Sequence, residues 1–184
     1  MKLAGLALAI ASAFVLAPSV AHARVQNSAQ GQLGVVGAGS DGAFWSRTRA
    51  DFGLKFESLW FREGPKDFGI GPYLEARTAS FGYGEYGGGL VALLPIDQTF
   101  PLWFGGGAFG RRQDSAWSSG FNGFVAWGGR SFNHHGSYGM AFGLMADARV
   151  HRGPQPGFDL VLAATIDLQS LAYPLMYLVS ALRH

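Results

Sequence analysis

The stretch Thr48–Trp60 reads Thr-Arg-Ala-Asp-Phe-Gly-Leu-Lys-Phe-Glu-Ser-Leu-Trp. Its odd positions hold Arg49, Asp51, Gly53, Lys55 and Glu57, and its even positions hold Ala50, Phe52, Leu54, Phe56, Ser58 and Trp60. Successive side chains of a β-strand point to opposite faces, so this period of two puts the charges on one face and the apolar groups on the other. The alternation returns in Asp67–Thr78, where Asp67, Tyr73, Glu75 and Arg77 oppose Phe68, Ile70, Leu74 and Ala76. It returns in Ser137–Val150, where Asp147 and Arg149 oppose Tyr138, Met140, Phe142, Leu144, Ala146 and Val150. It returns again in Gly157–Gln169, where Asp159, Thr165 and Asp167 oppose Phe158, Leu160, Leu162, Ala164, Ile166 and Leu168. All eleven charged residues of these four segments keep one parity within their segment. A slip of one residue would reverse the faces, so the register is strongly specified.

Four further segments, Gln32–Gly39, Phe81–Leu94, Pro101–Arg112 and Gly120–Phe132, carry the same character less sharply. Their glycine clusters, at 87–89, 105–107 and 128–129, blur the alternation. Glycine inside a strand marks a bulge or a tight bend at a barrel corner. Polar or Gly/Pro-containing connections separate the segments at 40–47, 62–66, 77–80, 95–100, 113–119, 133–136 and 151–156. The result is eight strands and seven connections. No helical period lies between the strands, which argues against a parallel βαβ sheet. The spacing suits membrane-crossing strands of about 9–11 residues plus a turn.

Composition narrows the class. The 184 residues include 28 Gly, no Cys and only 14% charged residues, with a net charge of +2. An ordinary soluble domain carries about 25% charged residues. The apolar content excludes a disordered chain, and the absence of Cys excludes a disulfide scaffold. No basic run accompanies the pI near 9.1, so nucleic acid is not an expected partner.

The first residues read as an address. Lys2, the uncharged run Leu3–Val20 and the site Ala21-His22-Ala23 have the layout of a secretory signal peptide cleaved after Ala23. The expected domain order is a signal peptide over 1–23, a barrel over 24–169 and a tail over 170–184. In the tail, Leu171, Leu175, Leu178 and Leu182 make a helical stripe, so a short C-terminal helix is expected. The open alternative is one more strand.

Alternation does not say which face is outside. A soluble barrel of the lipocalin type, holding an apolar ligand in the periplasm, turns its charges to water. A membrane barrel turns its apolar face to lipid. The low charge favours the membrane version, as do aromatic residues at strand ends: Phe44, Trp45, Trp60, Phe61, Phe100, Trp103, Trp117, Phe132 and Phe158. The interior would then hold a paired network of Arg49, Asp51, Lys55, Glu57, Asp67, Glu75, Arg77, Asp147, Arg149, Asp159 and Asp167, with Glu85, Arg111 and Arg130 as additions. An unpaired buried charge is costly, so these groups are expected to pair and fill the lumen instead of leaving a pore.

With this set of features, the chain resembles the small eight-stranded outer-membrane barrels of Gram-negative bacteria, the OmpA-transmembrane-domain and OmpX type, over roughly Gln32–Gln169. The resemblance is architectural. It implies an all-β, antiparallel, up-and-down transmembrane barrel in the outer membrane, in contact with lipid and lipopolysaccharide. It implies no specific protein partner. Such barrels usually close on an aromatic residue, whereas this chain ends Ala181-Leu182-Arg183-His184.

Motifs for chemistry are few. Gly82-Tyr83-Gly84-Glu85-Tyr86-Gly87 matches a dinucleotide fingerprint, but Gly88-Gly89 follows where a helix must start, so strand glycines are expected. His134, His135 and His151 lack carboxylate or thiolate partners at ligand spacing, and no metal or other cofactor is expected. His135-Gly136-Ser137 with Asp147 is similar to the His-x-Ser pair of outer-membrane lipid A deacylases, which implies a hydrolase with His135 as base, Ser137 as nucleophile and Asp147 orienting the base. Against this, Ser137 and Asp147 share the parity of the charged face, and the Asn that follows the family's Ser is replaced by Tyr138. A non-enzymatic barrel is the main expectation.

Overall fold

The computed structural model describes residues 25–38, 45, 48–130, 141–153 and 156–168. Eight strands follow one another: β1 (Gln26–Ala38), β2 (Thr48–Leu59), β3 (Gly69–Ala79), β4 (Gly84–Leu94), β5 (Leu102–Gln113), β6 (Ala116–Gly128), β7 (Phe142–Arg152) and β8 (Gly157–Asp167). Each pairs antiparallel with the next, and β8 pairs with β1, which closes an up-and-down barrel. The expected signal peptide, tail helix, Phe44, Phe132, His134, His135 and Ser137 lie outside the described residues.

The register defines the barrel's shape. The ladder runs from Ser28 to Glu57, Tyr73, Gly89, Gly107, Asn122, Arg149 and Asp159, and returns to β1 at Ala38. It comes back ten residues further along β1. That stagger requires strands tilted by roughly 35–45° from the barrel axis. All nine residues on this path belong to the inward face.

The charged faces point in and the apolar faces point out. Asp51, Lys55, Glu57, Glu75, Arg77, Asp147, Arg149, Asp159 and Asp167 are buried. Leu33, Phe56, Leu90, Phe121, Leu144 and Leu162 are exposed on the outer wall. This is the reverse of a lipocalin-type barrel with an apolar lumen.

Several boundaries differ from the sequence expectation. β1 starts at Gln26, six residues earlier than expected, because its polar inward groups Ser28, Gln30 and Gln32 carry the alternation in uncharged form. The connection expected at 113–119 shrinks to Asp114–Ser115, since Ala116–Ser119 pair with β5. The longer connections 60–68 and 95–101 lie at the end where β1 begins and β8 finishes. The opposite, hairpin end has the short turns 80–83 and 114–115.

Candidate functional site

The lumen is the most elaborated part of the molecule. Its upper half, toward the hairpin end, is a continuous ion-pair network. Arg77 reaches Asp51 at 2.5 Å and Asp147 at 2.9 Å. Arg149 donates to Asp147 at 2.9 Å and to Glu85 at 2.6 Å, and also to Glu75. Arg111 donates to Glu85 at 2.6 Å and pairs with Asp159. His151 lies 3.0 Å from Arg111 and 3.8 Å from Asp159. These groups come from β2, β3, β4, β5, β7 and β8, so the network ties non-adjacent strands across the lumen. Arg suits this role because its planar fork donates to two or three carboxylates at once.

Below the network the lumen turns aromatic. Lys55 is fully buried, with its Nζ 3.2 Å from the Phe124 ring centroid, 4.8 Å from that of Tyr73 and 4.0 Å from Glu75. Desolvation makes such cation–π contacts stronger than they are in water. Tyr73 donates to Asn122 at 3.0 Å and stacks edge-on against Phe124. Further down, Leu59, Val91, Leu93, Trp103, Ala126 and Met145 pack together. Arg130 then pairs with Glu57, donates to Ser28 at 2.8 Å and lies over Trp103 at 4.9 Å. Gln30 also donates to Glu57, at 3.1 Å.

Inward glycines make room for these rings. A Cβ at Gly143 would meet Thr165 Oγ1 at 2.7 Å and Trp103 Cη2 at 2.9 Å. A Cβ at Gly105 would meet the Phe124 ring at 2.8 Å and the Leu90 carbonyl at 2.5 Å.

At the hairpin end the lumen opens into a cavity of about 540 Å³. Arg49, Tyr83, Arg111, His151, Phe158 and Asp159 are among its lining residues. The outer wall is a separate surface. Exposed aromatic residues lie near both ends: Phe81, Tyr86 and Trp117 toward the hairpins, and Trp60, Phe61, Phe100 and Trp127 toward the termini. Phe81 stacks on Phe52 at 5.7 Å.

Neisserial surface protein A (NspA) shares this arrangement of strands, with TM-score 0.50 and 9% identity over 78% of this chain and 97% of that one. The fold is that of a small outer-membrane barrel. Ail, the attachment invasion locus protein of Yersinia pestis, in complex with the heparin analogue sucrose octasulfate, gives TM-score 0.48 and 10% identity over 77% of this chain and 96% of that one. No protein-family model and no curated protein matches the sequence.

Within this small barrel, nine of the eleven expected interior charges are buried in the lumen. Two are not. Arg49 is exposed, because it sits near the start of β2, beyond Asp51, where the β2–β3 ladder begins. It borders the mouth cavity instead of entering the network. Asp67 lies in the β2–β3 turn, where its carboxylate accepts from the backbone N–H groups of Glu63 and Gly64 at 3.0 and 2.7 Å. A turn carboxylate of this kind closes its own loop. Asp167 is buried and stands opposite Gln30 in the register.

Trp103 is also reassigned. It was expected in the outer aromatic set, but it is 1% exposed and faces the lumen. Glu85, Arg111 and Arg130 are full members of the interior. The ring cage around Lys55 escaped the sequence, because Phe124 and Tyr73 meet it only once the barrel closes. Asp147, the expected orienting acid, is fully buried and held by Arg77, Arg149 and Asn122. Among the described residues no group of three potential metal ligands occurs.

Proposed function

We propose that the chain is a bacterial outer-membrane β-barrel, exported through a cleaved signal peptide, with a filled, charge-paired interior and a structural or interaction role without transport. One observation carries this reading. Of the outward-facing positions on the eight strands, only Arg112 and Arg152 are charged. Everything between the two rims of the outer wall is apolar, small or hydroxylated. Strands of 11–13 residues, tilted as the stagger requires, rise about 25–30 Å. That rise matches the apolar band of about 25 Å on membrane barrels. The aromatic residues at both ends fit the two interfaces, where amphipathic rings sit at headgroup level. The interior ion pairs and the Trp103–Phe124 layer occupy the space a pore would need, and lipid and lipopolysaccharide are the expected surroundings.

Gel migration of membrane-extracted protein, unheated and boiled in SDS, tests the reading. The expected result is extraction by detergent alone and a mobility shift on boiling. Recovery by osmotic shock without detergent, with no shift, would reject the membrane barrel. Planar-bilayer recording tests the filled lumen, and steady single-channel steps from the parent protein would reject it.

A further inference from the structure

We propose that Arg112 and Arg152 form a binding site for the phosphate of an anionic lipid in the leaflet at the hairpin end; this rests on the membrane reading above. Both residues are exposed, and both carry the outward parity of their strands. They sit at the last turnward positions of β5 and β7, on either side of β6. Arg112 stands opposite Trp117 and Arg152 opposite Ser119, and both of these β6 residues face outward between them. Neighbouring strands lie about 4.8 Å apart and the two partners on β6 are two residues apart, so the two arginine backbones are about 12 Å apart across the wall. Their flexible side chains can converge over β6.

The asymmetry of the wall points to the ligand. At the terminal rim the outward residues are uncharged: Asn27, Ser58, Ile70, Leu94, Trp127 and Phe142 are among them. At the hairpin rim, the other strands present uncharged groups such as Gly37, Thr48 and Gly84. Both cations of the outer wall therefore lie at one depth and on one side. No carboxylate faces outward on the eight strands, the exposed Asp114 lies in the β5–β6 turn above them, and among the described residues neither arginine makes an ion pair. A cation on a lipid-facing strand costs little near the interface and much at the midplane. A phosphate at headgroup height supplies the missing counter-charge, and guanidinium binds its oxygens in bidentate fashion. Immediately below, Phe121 and Val150 offer an apolar surface to acyl chains, and Trp117 suits the headgroup boundary. The occupant this combination fits is a phosphorylated lipid, held by its headgroup and its chains together.

The test uses the full chain refolded into phosphatidylcholine vesicles, where the boil-dependent gel shift reports a folded barrel. Binding of bisphosphorylated lipid A is measured for the parent, for R112Q/R152Q and for R112K/R152K. The double Gln variant is expected to bind about 25-fold more weakly, taking about a fivefold loss per cation. The double Lys variant, which keeps both charges but loses the bidentate fork, is expected to bind with an affinity between those of the parent and the double Gln variant. Equal lipid A binding by parent and R112Q/R152Q, with both barrels folded, would overturn the site and leave the membrane reading intact. Competition by millimolar inorganic phosphate that abolishes lipid A binding would reassign the pair to a free anion. A parent chain that fails to insert into vesicles would overturn both readings together.

Discussion

Arg149 shows what a single side chain does in this lumen. It is 1% exposed and bonds Glu75, Glu85 and Asp147, which come from β3, β4 and its own strand. Removing its charge leaves three carboxylates in a closed, poorly hydrated space. Arg149→Gln is expected to destabilise the barrel by about 3–5 kcal/mol, the usual range for breaking a buried pair. Urea unfolding in detergent, followed by the gel shift, measures it. Arg49→Gln serves as the contrast. Arg49 is exposed at the mouth, and its loss is expected to stay within about 0.5 kcal/mol. Packing makes similar demands of the smallest residue. Gly143→Ala drives a methyl toward Thr165 and Trp103, and a cost of about 1–3 kcal/mol is expected in the same assay. Thr165→Ala in the Gly143→Ala background removes one of the two obstructing atoms and is expected to recover part of the loss.

At the scale of the strand and its turn, the β5–β6 hairpin is the tightest connection, with only Asp114 and Ser115 between strands. Asp114 has φ +53°, a left-handed conformation that costs an L-residue. Two-residue hairpin turns with a positive first φ favour Gly there. Asp114→Gly is expected to raise stability by about 0.5–1 kcal/mol, and Asp114→Val to lower it, read from urea midpoints. Legibility from sequence followed the same local physics. β2, β3, β7 and β8 could be read because charged and apolar residues mark their two faces in turn. β4 and β5 could not be read as cleanly, since Gly87, Gly89, Gly105 and Gly107 face inward while Gly88 and Gly106 face outward, and glycine marks neither face. Parity assigns a face and says nothing about depth along the barrel. Arg49 therefore carried the right parity at the wrong height, and Asp67 lay past the end of its strand. Trp103 was misplaced because an aromatic near a strand end serves equally well as a rim anchor or a lumen plug until the register is known. Arg112 left a trace: it adjoins Arg111, and two consecutive strand residues cannot both face in.

For the whole molecule, the decisive property is closure. β1 and β8, the first and last strands, pair over Gln30–Ala38 and Asp159–Asp167 as fully as interior neighbours do. A chain ending at Pro156 keeps seven strands but bares the inner edges of β1 and β7, and it also loses Asp159, a partner of Arg111. No boil-sensitive species is expected from that truncation, whereas one is expected from the full chain. The order of synthesis makes this a matter of timing. Of the eight strands β1 is made first, yet its second neighbour β8 is made last, so until then the chain displays a bare β1 edge that none of its other strands covers. Exposed strand edges of this kind invite pairing with other chains. Closure is therefore a late event by construction: the seam between β1 and β8 cannot form until the last of the eight strands exists, and until then every other strand pairing belongs to an open sheet.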